Sequence, residues 1–571
     1  MPYFGLRGKS LNYAVTIIAG VDFLLFGFDQ GVMGGILTME QFLTEFPQVW
    51  PEDPSVTDPS VTSYRATVQG ITVGSYNLGC FLGACITIFI GNPLGRKRMI
   101  MLGTSLMVVG AILQASATTM EQLIIGRIIT GLGNGGNTST VPTWQSETSH
   151  AHNRGKLVMI EGALITCGVM LSYWVDLGFS FVQSSAAWRT PLAFQLIFCF
   201  FILAFIWNLP ESPRWLILKK KDSQAKEVLA LLNDVEISHK KVEDEYTAIR
   251  ETVAEMSKGS FSDLFSNDMD RNFHRSMLAY WSQVFQQISG INLITYYAPV
   301  IYRNLGISPF MSLLLGALNG TEYFLASWPS VFLVERVGRR KLMLFGSIGQ
   351  AATMAILAGV NSRPDNASAN IAAIVFLFVF NTFFAVGWLG MSWLYPTEIL
   401  TTRIRAPANA LSTSANWIFN FLIVMVTPIA FDSIKWQTYI VFAVINAAIV
   451  PCVYFFYPET AGRSLEEMDA IFHKTQGKKG YFDVVRIARD EPRRYGKHGE
   501  VLISYRETEE HKRHLSVAEQ GGAGGHGIEH HENPHDSNSD NQHRRGGGSR
   551  GGESPGGNSS EGIVQTGRSQ V

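Results

Sequence analysis

The sequence is short of charge. Only 16% of its 571 residues are charged, against about 25% in ordinary soluble domains. The 46 basic and 47 acidic residues nearly cancel, leaving a net charge of −1. With no global basic field, a nucleic-acid partner is not expected. Cysteine is scarce. Cys80, Cys85, Cys167, Cys199 and Cys452 all fall inside apolar runs, so they read as small core residues and not as a disulfide framework. No nucleophile–base set, metal-ligand spacing or phosphate loop is present. Neither an enzyme nor a cofactor or metal site is therefore expected. The glycine-rich Gly131-Leu-Gly133-Asn-Gly135-Gly136 lies within an apolar run and reads as close helix packing. The N-terminus, Met1 to Ser10, precedes a run long enough to span and lacks a small-residue cleavage pattern, which argues against a cleavable signal peptide.

Apolar length is what the chain has in abundance. Hydrophobic residues make up 46%, with 36 Phe and 12 Trp. A bilayer needs about 20 apolar residues per helix. Twelve such runs occur: Tyr13–Gly35, Thr67–Gly91, Met99–Ala117, Glu121–Thr143, Leu157–Gly178, Thr190–Pro210, Met277–Ile301, Pro309–Val334, Leu342–Gly359, Ile371–Tyr395, Asn409–Ala430 and Thr438–Tyr457. The longest polar insertion follows the sixth. The expected fold is all-α and membrane-embedded, with twelve transmembrane helices in two pseudo-symmetric six-helix bundles. Residues 1–210 form the first bundle, 211–273 a cytoplasmic linker with short helices, and 274–457 the second bundle. Residues 458–571 form a tail, largely disordered from about 510, where its composition cannot bury a core.

Lys and Arg collect in alternate loops, at Arg96-Lys97-Arg98, Arg154 and Lys156, Arg336 to Lys341, and Arg403 with Arg405. The positive-inside rule makes these loops, both termini and the linker cytoplasmic. Asn366-Ala-Ser is then a glycosylation sequon on an extracellular loop.

Motifs recur six spans apart. Asn92-Pro-Leu-Gly95-Arg96-Lys97-Arg98 matches Glu335-Arg-Val-Gly338-Arg339-Arg340-Lys341. Glu147 with Arg154 matches Glu398 with Arg403, and Pro210-Glu-Ser matches Pro458-Glu-Thr. Such parallel repeats place a substrate near the midplane between two halves. Two features sit where that substrate would. Asp29, in the first run, is a carboxylate costing roughly 2.5–3.5 kcal/mol in a spanning helix unless it faces a cavity or partner. Gln283, Gln286, Gln287 and Asn292 crowd the seventh run. They face water or ligand, or else serve as hydrogen-bond glue between helices.

Taken in order, these motifs resemble the sugar porters of the major facilitator superfamily. Gly27-Phe-Asp-Gln-Gly, Gly126-Arg127, Pro142 to Glu147, Pro210-Glu-Ser-Pro-Arg-Trp-Leu216, Gln286-Gln287-Ile-Ser-Gly290-Ile-Asn292, Trp393-Leu-Tyr-Pro-Thr-Glu398 and Pro458 to Met468 carry the likeness. Within the superfamily the chain resembles fungal monosaccharide–proton symporters of the plasma membrane. The resemblance implies that Gln286, Gln287, Asn292, Trp393 and Asn416 bind sugar, with Trp417 beside them. It implies that Tyr296 and Tyr297 gate the extracellular side. It also implies that Asp29 and Arg127 couple a co-transported proton by pairing in the empty outward-open state. Glu147 and Glu398 would pair with Arg96, Arg154, Arg339 and Arg403 across the halves as a cytoplasmic gate, with Glu335 supplying a further acid where the first half has Asn92. The implied protein is a hexose or pentose transporter, working as a monomer in the lipid bilayer by alternating access. Two family ligand positions depart: they fall on Gly162 and Tyr323. A quinate or polyol porter, or a transporter-like nutrient sensor, is the alternative. Asp22, Glu161 and Glu322 are further intramembrane acids that the pattern does not assign.

Overall fold

A computed structural model describes residues 5–149, 154–257, 259–267, 269–363, 366–475 and 480–492. The first set of helices is α1 (Gly8–Ile36), the short α2 (Glu40–Glu45), α3 (Pro59–Leu94), α4 (Arg96–Ala115), α5 (Met120–Thr148), α6 (Arg154–Phe179) and α7 (Ala186–Ile206). The polar insertion folds as α8 (Pro213–Leu218), α9 (Asp222–Asn233) and α10 (Lys240–Ser257). The second set is α11 (Asn272–Ile288), α12 (Ile291–Asn304), α13 (Pro309–Val337), α14 (Arg339–Asn361), α15 (Ala367–Gly387), α16 (Met391–Ile399), α17 (Arg405–Ser433) and α18 (Gln437–Phe456). Two tail helices follow, α19 (Leu465–His473) and α20 (Gly480–Asp490). The disorder expected from about residue 510 lies outside the described residues.

Nine of the described helices are long and apolar enough to cross a membrane by length and composition. The other three spanning elements are α5, α13 and the α11–α12 pair. They dilute their apolar residues with polar ones such as Asn134, Asn137, Asn319, Glu322, Gln286 and Asn292. Together the twelve form two six-helix bundles.

Two of the twelve expected runs are not single helices. The seventh breaks at Ser289–Gly290, where Gly290 takes φ +104°. The tenth breaks between Gly387 and Met391. A break frees backbone groups that lipid cannot satisfy, and here side chains satisfy them. Gln286 Nε2 donates to the carbonyl of Leu389 at 3.1 Å, and Asn446 Nδ2 donates to the carbonyl of Ser289 at 2.7 Å. Hydropathy does not show the tenth-run break, because Trp388, Leu389 and Met391 around it are as apolar as the helix.

Within the first bundle α1 packs along α6, and α5 packs between α3 and α4. The α1–α6 seam is very close. A Cβ at Gly168 would lie 2.0 Å from the Leu24 carbonyl oxygen, and one at Gly27 would lie 1.9 Å from that of Ile165. Neither clash is with a movable side chain. Gly168→Val is therefore expected to abolish recovery of monodisperse protein in detergent, with Gly178→Val, which meets nothing within 4 Å, as the tolerated control.

The halves meet through α3 against α17 and α6 against α13. These contacts are images of one another under the six-span repeat. One face of the molecule carries Gly95-Arg96 and Gly338-Arg339 and is called the basic face here. The side-chain hydrogen bonds that join the halves among the described residues lie between the midplane and the opposite face. Tyr296 Oη donates to Asn77 Oδ1 at 3.0 Å, Tyr173 Oη to the Thr295 carbonyl at 2.7 Å, and Arg303 Nη1 to the Thr38 carbonyl at 3.0 Å. The deepest is Thr166 Oγ1 to Ser327 Oγ at 3.3 Å. The opposite face is thus the tied one.

Candidate functional site

Between the halves lies a small cavity lined by residues of both. The second half supplies most of its polar wall: Gln286, Gln287, Asn292, Thr295, Trp393 and Asn416. The first half contributes Phe26, Gln30 and Ile165. Tyr323, Phe384, Leu389 and Ile291 complete the lining.

The amides form a chain. Asn416 Nδ2 donates to Gln283 Oε1 at 2.6 Å and to Gln286 Oε1 at 3.0 Å. Gln287 Nε2 donates to Gln286 Oε1 at 3.2 Å, and Asn292 Nδ2 donates to Gln287 Oε1 at 2.7 Å. The helix break lets this happen. Gln286 and Gln287 close α11 and Asn292 opens α12, so residues five and six apart converge on one wall. Each amide has a partner and spare capacity, which holds the wall in place while leaving donors and acceptors for a ligand. The five expected sugar ligands, Gln286, Gln287, Asn292, Trp393 and Asn416, all line this cavity. Trp417 does not. It is fully buried against Phe26, at 5.2 Å between ring centroids, and against Tyr76 at 6.3 Å. Tyr323 takes a family ligand position with a ring that packs on Phe384. At Gly162 a side chain is simply missing, and a Cβ there would meet only Leu389 and Gly390.

Tyr296 and Tyr297 divide their roles. Tyr296 bridges the halves through Asn77. Tyr297 stays within its own half, donating to the Val424 carbonyl at 2.9 Å.

Asp29 is buried on α1, and its Oδ2 has no hydrogen-bond partner. Arg127 is buried on α5 but does not pair with it. Its Nη2 donates to the Val73 carbonyl at 3.1 Å, and its guanidinium lies 5.5 Å from the centroid of the Tyr76 ring. In this conformation, tied at the opposite face, the two are apart. Asp22, on the same helix, has a partner of its own. Its Oδ1 accepts from Asn137 Nδ2 at 2.7 Å, and that amide also reaches Thr104. Glu322 is held by Thr382 on α15, and Glu161 is buried on α6.

The basic face does not show the expected pairing across halves. Arg96 holds Glu147 within the first half, at 3.0 and 3.2 Å. Arg339 holds Glu398 and Glu335 within the second, at 2.6–3.1 Å. Arg403 pairs with Asp263 of the linker. The side chain of Arg154 lies outside the described residues. Among the described residues no ion pair joins the halves at this face. Each cluster is instead an internal clasp. Glu211 accepts from the backbone N–H groups of Arg96 and Lys97, and Glu459 accepts from that of Arg339. Each carboxylate sits at a helix N-terminus, where the macrodipole favours it. It approaches so closely that only the glycines at 95 and 338, with φ of +92° and +98°, fit the turn. Burial pushes the Glu211 carboxyl up, and the backbone N–H groups of Ser212 and Lys97 oppose it. Ser212 and Thr460 donate to Glu147 and Glu398 in the same way. The repeated Pro-Glu-Ser and Pro-Glu-Thr were the sequence signal for this clasp, which the pairing of Arg with Glu alone did not reveal.

A family model described as "sugar (and other) transporter" matches residues 14–472. The chain belongs to this transporter family. Among curated relatives, the sugar transporter STL1 of Saccharomyces cerevisiae is 41% identical over 480 residues, covering 83% of each chain. The MFS-type transporter oryC of Aspergillus oryzae is 40% identical, covering 90% of this chain and 95% of its own. The high-affinity glucose transporter 1 of Candida albicans is 30% identical, covering 81% and 85%. Among solved structures, the proton:xylose symporter XylE bound to 6-bromo-6-deoxy-D-glucose superposes with a TM-score of 0.68 at 24% identity, covering 81% of this chain and all of that one. That likeness concerns the fold, which is the major facilitator fold. The transporter is thus a multi-pass membrane protein and not an enzyme. Gln30, Asn77, Glu211 and Glu459 are residues of it to which sequence reasoning gave no role.

Proposed function

We propose that this transporter carries a monosaccharide, a hexose or pentose, together with a proton across the plasma membrane by alternating access. The carrying observation is the amide chain of Asn292, Gln287, Gln286 and Asn416 on one wall of a cavity between the halves. A sugar presents a ring of hydroxyls and apolar C–H faces. Amides both donate and accept, and Trp393 and Phe26 offer faces for the ring. The basic face is cytoplasmic on this reading, so the structure is the inward-facing state, with both termini inside. Exposed Asn366, which caps α15 through its Oδ1, then stands on the outside and carries a glycan. The transporter works as a monomer and uses no cofactor beyond the proton. Asp29 binds that proton. In the outward-open state it is ionised and paired with Arg127. Protonation releases Arg127 and permits closure around sugar.

A second reading, a polyol or quinate porter of the same family, has in its favour the apolar first-half wall of Phe26 and Ile165. No Lys or Arg lines the cavity among the described residues, which disfavours an anionic substrate such as quinate. Uptake of a sugar and polyol panel in a transport-deficient yeast, with and without a proton uncoupler, separates the readings. Monosaccharide uptake that collapses with the uncoupler is the expected result. Uptake of a polyol alone, or uptake indifferent to the uncoupler, sinks the proposal. Gln287→Ala removes one hydrogen-bonding arm and is expected to raise KM for the sugar about tenfold with little change in kcat, since a buried hydrogen bond lost to a ligand costs roughly 1–3 kcal/mol.

A further inference from the structure

The two helices beyond the last span have no part in this scheme. The second bundle holds the outer one, α20, at the basic face. Arg463 Nη2 donates to the carbonyls of Ala488 and Glu491 at its end, at 2.5 and 2.8 Å. The Tyr481 ring packs on His274 of α11 with 4.6 Å between centroids, and Val484 and Ala488 are buried. Phe482, Arg486 and Arg489, spaced four and three apart, share another face of the helix. All three are exposed there, Phe482 at 63%.

The position of that face says what covers it. Phe482 packs on Phe456, the last residue of α18, with 5.1 Å between ring centroids. Helix α18 is long and apolar enough to cross the membrane, and Tyr454 and Phe455 just before its end are exposed. The six-span repeat marks the same level on both halves. Phe89 and Phe332 stand seven residues before Arg96 and Arg339, and Trp207 and Phe455 stand three residues before Pro210 and Pro458. All four are exposed. Exposed aromatic residues near the ends of spanning helices lie at the bilayer interface. Phe482 continues this lipid-facing surface beyond the last span.

Charge points the same way. From Lys474 to Arg494 the sequence carries seven basic residues and three acidic ones. Asp483 and Asp490 lie beside Arg486 and Arg489, at 3.1 and 3.3 Å, and Glu491 is taken by Lys474. Ion pairs as exposed as those of Arg486 and Arg489 are weak, so both guanidinium groups can turn to a stronger anion.

We propose that α20 is a lipid-binding element. Phe482 inserts at the headgroup boundary of the bilayer at the basic face, and Arg486 and Arg489 bind the phosphates of anionic phospholipids beside it. A guanidinium fork matches phosphate oxygens, and an apolar ring flanked by basic groups suits the layer where acyl chains meet headgroups. This surface anchors the second bundle, and the exit of the tail, to one leaflet. It depends on neither the substrate nor the proton, so its failure would leave the transport reading untouched.

The full chain is reconstituted in lipid nanodiscs, which leave both faces open to solvent, with a bimane fluorophore on Phe482→Cys. The chain without an added cysteine is the blank. Phe332→Cys marks a lipid-facing position and Ser63→Cys a water-exposed one. Bimane at 482 is expected to behave as at 332, quenched by lipid spin-labelled near the top of the acyl chain and shielded from iodide. Spin-labelled phosphatidylserine is expected to quench it about fivefold more strongly than phosphatidylcholine labelled at the same carbon, the enrichment that one basic side chain gives at a headgroup layer. Arg486→Gln combined with Arg489→Gln brings the two lipids level, and lysine at both positions keeps the difference. Quenching by iodide as strong as at Ser63→Cys overturns the proposal, because the face is then in water and open to the tail or to a protein partner. Equal quenching by the two lipids in the unsubstituted background overturns it too, as does a preference that survives the double glutamine variant.

Discussion

Proton-driven accumulation is expected to vanish in Asp29→Asn, while exchange of labelled for unlabelled sugar persists. One proton per cycle across a difference of one pH unit supports about tenfold accumulation. In the variant the ratio falls to one. The argument is electrostatic. Asp29 is 2% exposed and has an unpartnered oxygen. Arg127, also 2% exposed, is turned to a backbone carbonyl. An ionised acid in that position would be a buried charge without its partner, and a protonated one is merely a buried polar group. The conformation tied at the opposite face is therefore compatible with neutral Asp29. Asn is permanently neutral, so sugar still crosses in either direction, but no proton is tied to the crossing. Unchanged accumulation in sealed vesicles under an imposed proton gradient would sink this role for Asp29.

The second large effect is on stability and is asymmetric between the halves. Arg339→Ala is expected to destabilise the transporter by about 3–5 kcal/mol, the usual cost of stranding a buried ionic partner. Arg339 is 4% exposed and serves two carboxylates, Glu335 and Glu398, as well as the Val334 carbonyl. Arg96→Ala should cost visibly less. Arg96 serves one carboxylate, Glu147, and its third contact is the neutral Asn92 Oδ1 at 3.2 Å. Arg339→Lys should not rescue, because an ammonium cannot present two edges to two carboxylates. Thermal melting in detergent reads both. Equal losses for the two alanine variants would show that the extra acid in the second half contributes nothing.

These effects were legible in the sequence to different degrees. The charged partners of the basic face stand out as a repeat, and Asp29, Gln286, Gln287 and Asn292 stand out because polar groups are costly in lipid. Their arrangement was not legible. Spacing alone does not say whether Glu147 reaches Arg96 or an arginine of the other half, since both lie at helix ends on the same face. Asp176 is hidden for a different reason. An acid two residues before the end of the fifth apolar run reads as a boundary residue, and only the packing of Gly35 onto it shows that it is sealed.

By itself the sequence determined the class of molecule. Twelve apolar runs, a polar insertion after the sixth and motifs recurring six spans later leave two six-helix halves as the arrangement, because lipid tolerates only closed backbone hydrogen bonding. It also determined which polar residues had to find a cavity. Tertiary structure decided the rest. It broke the seventh and tenth runs, and four amides of the second half meet on one wall. It closed one face and left the ion pairs of the other within their own halves. It set Asp29 apart from Arg127. On the alternating-access reading proposed above the halves adopt two packings with the same residues, so neither packing is written in the residue order.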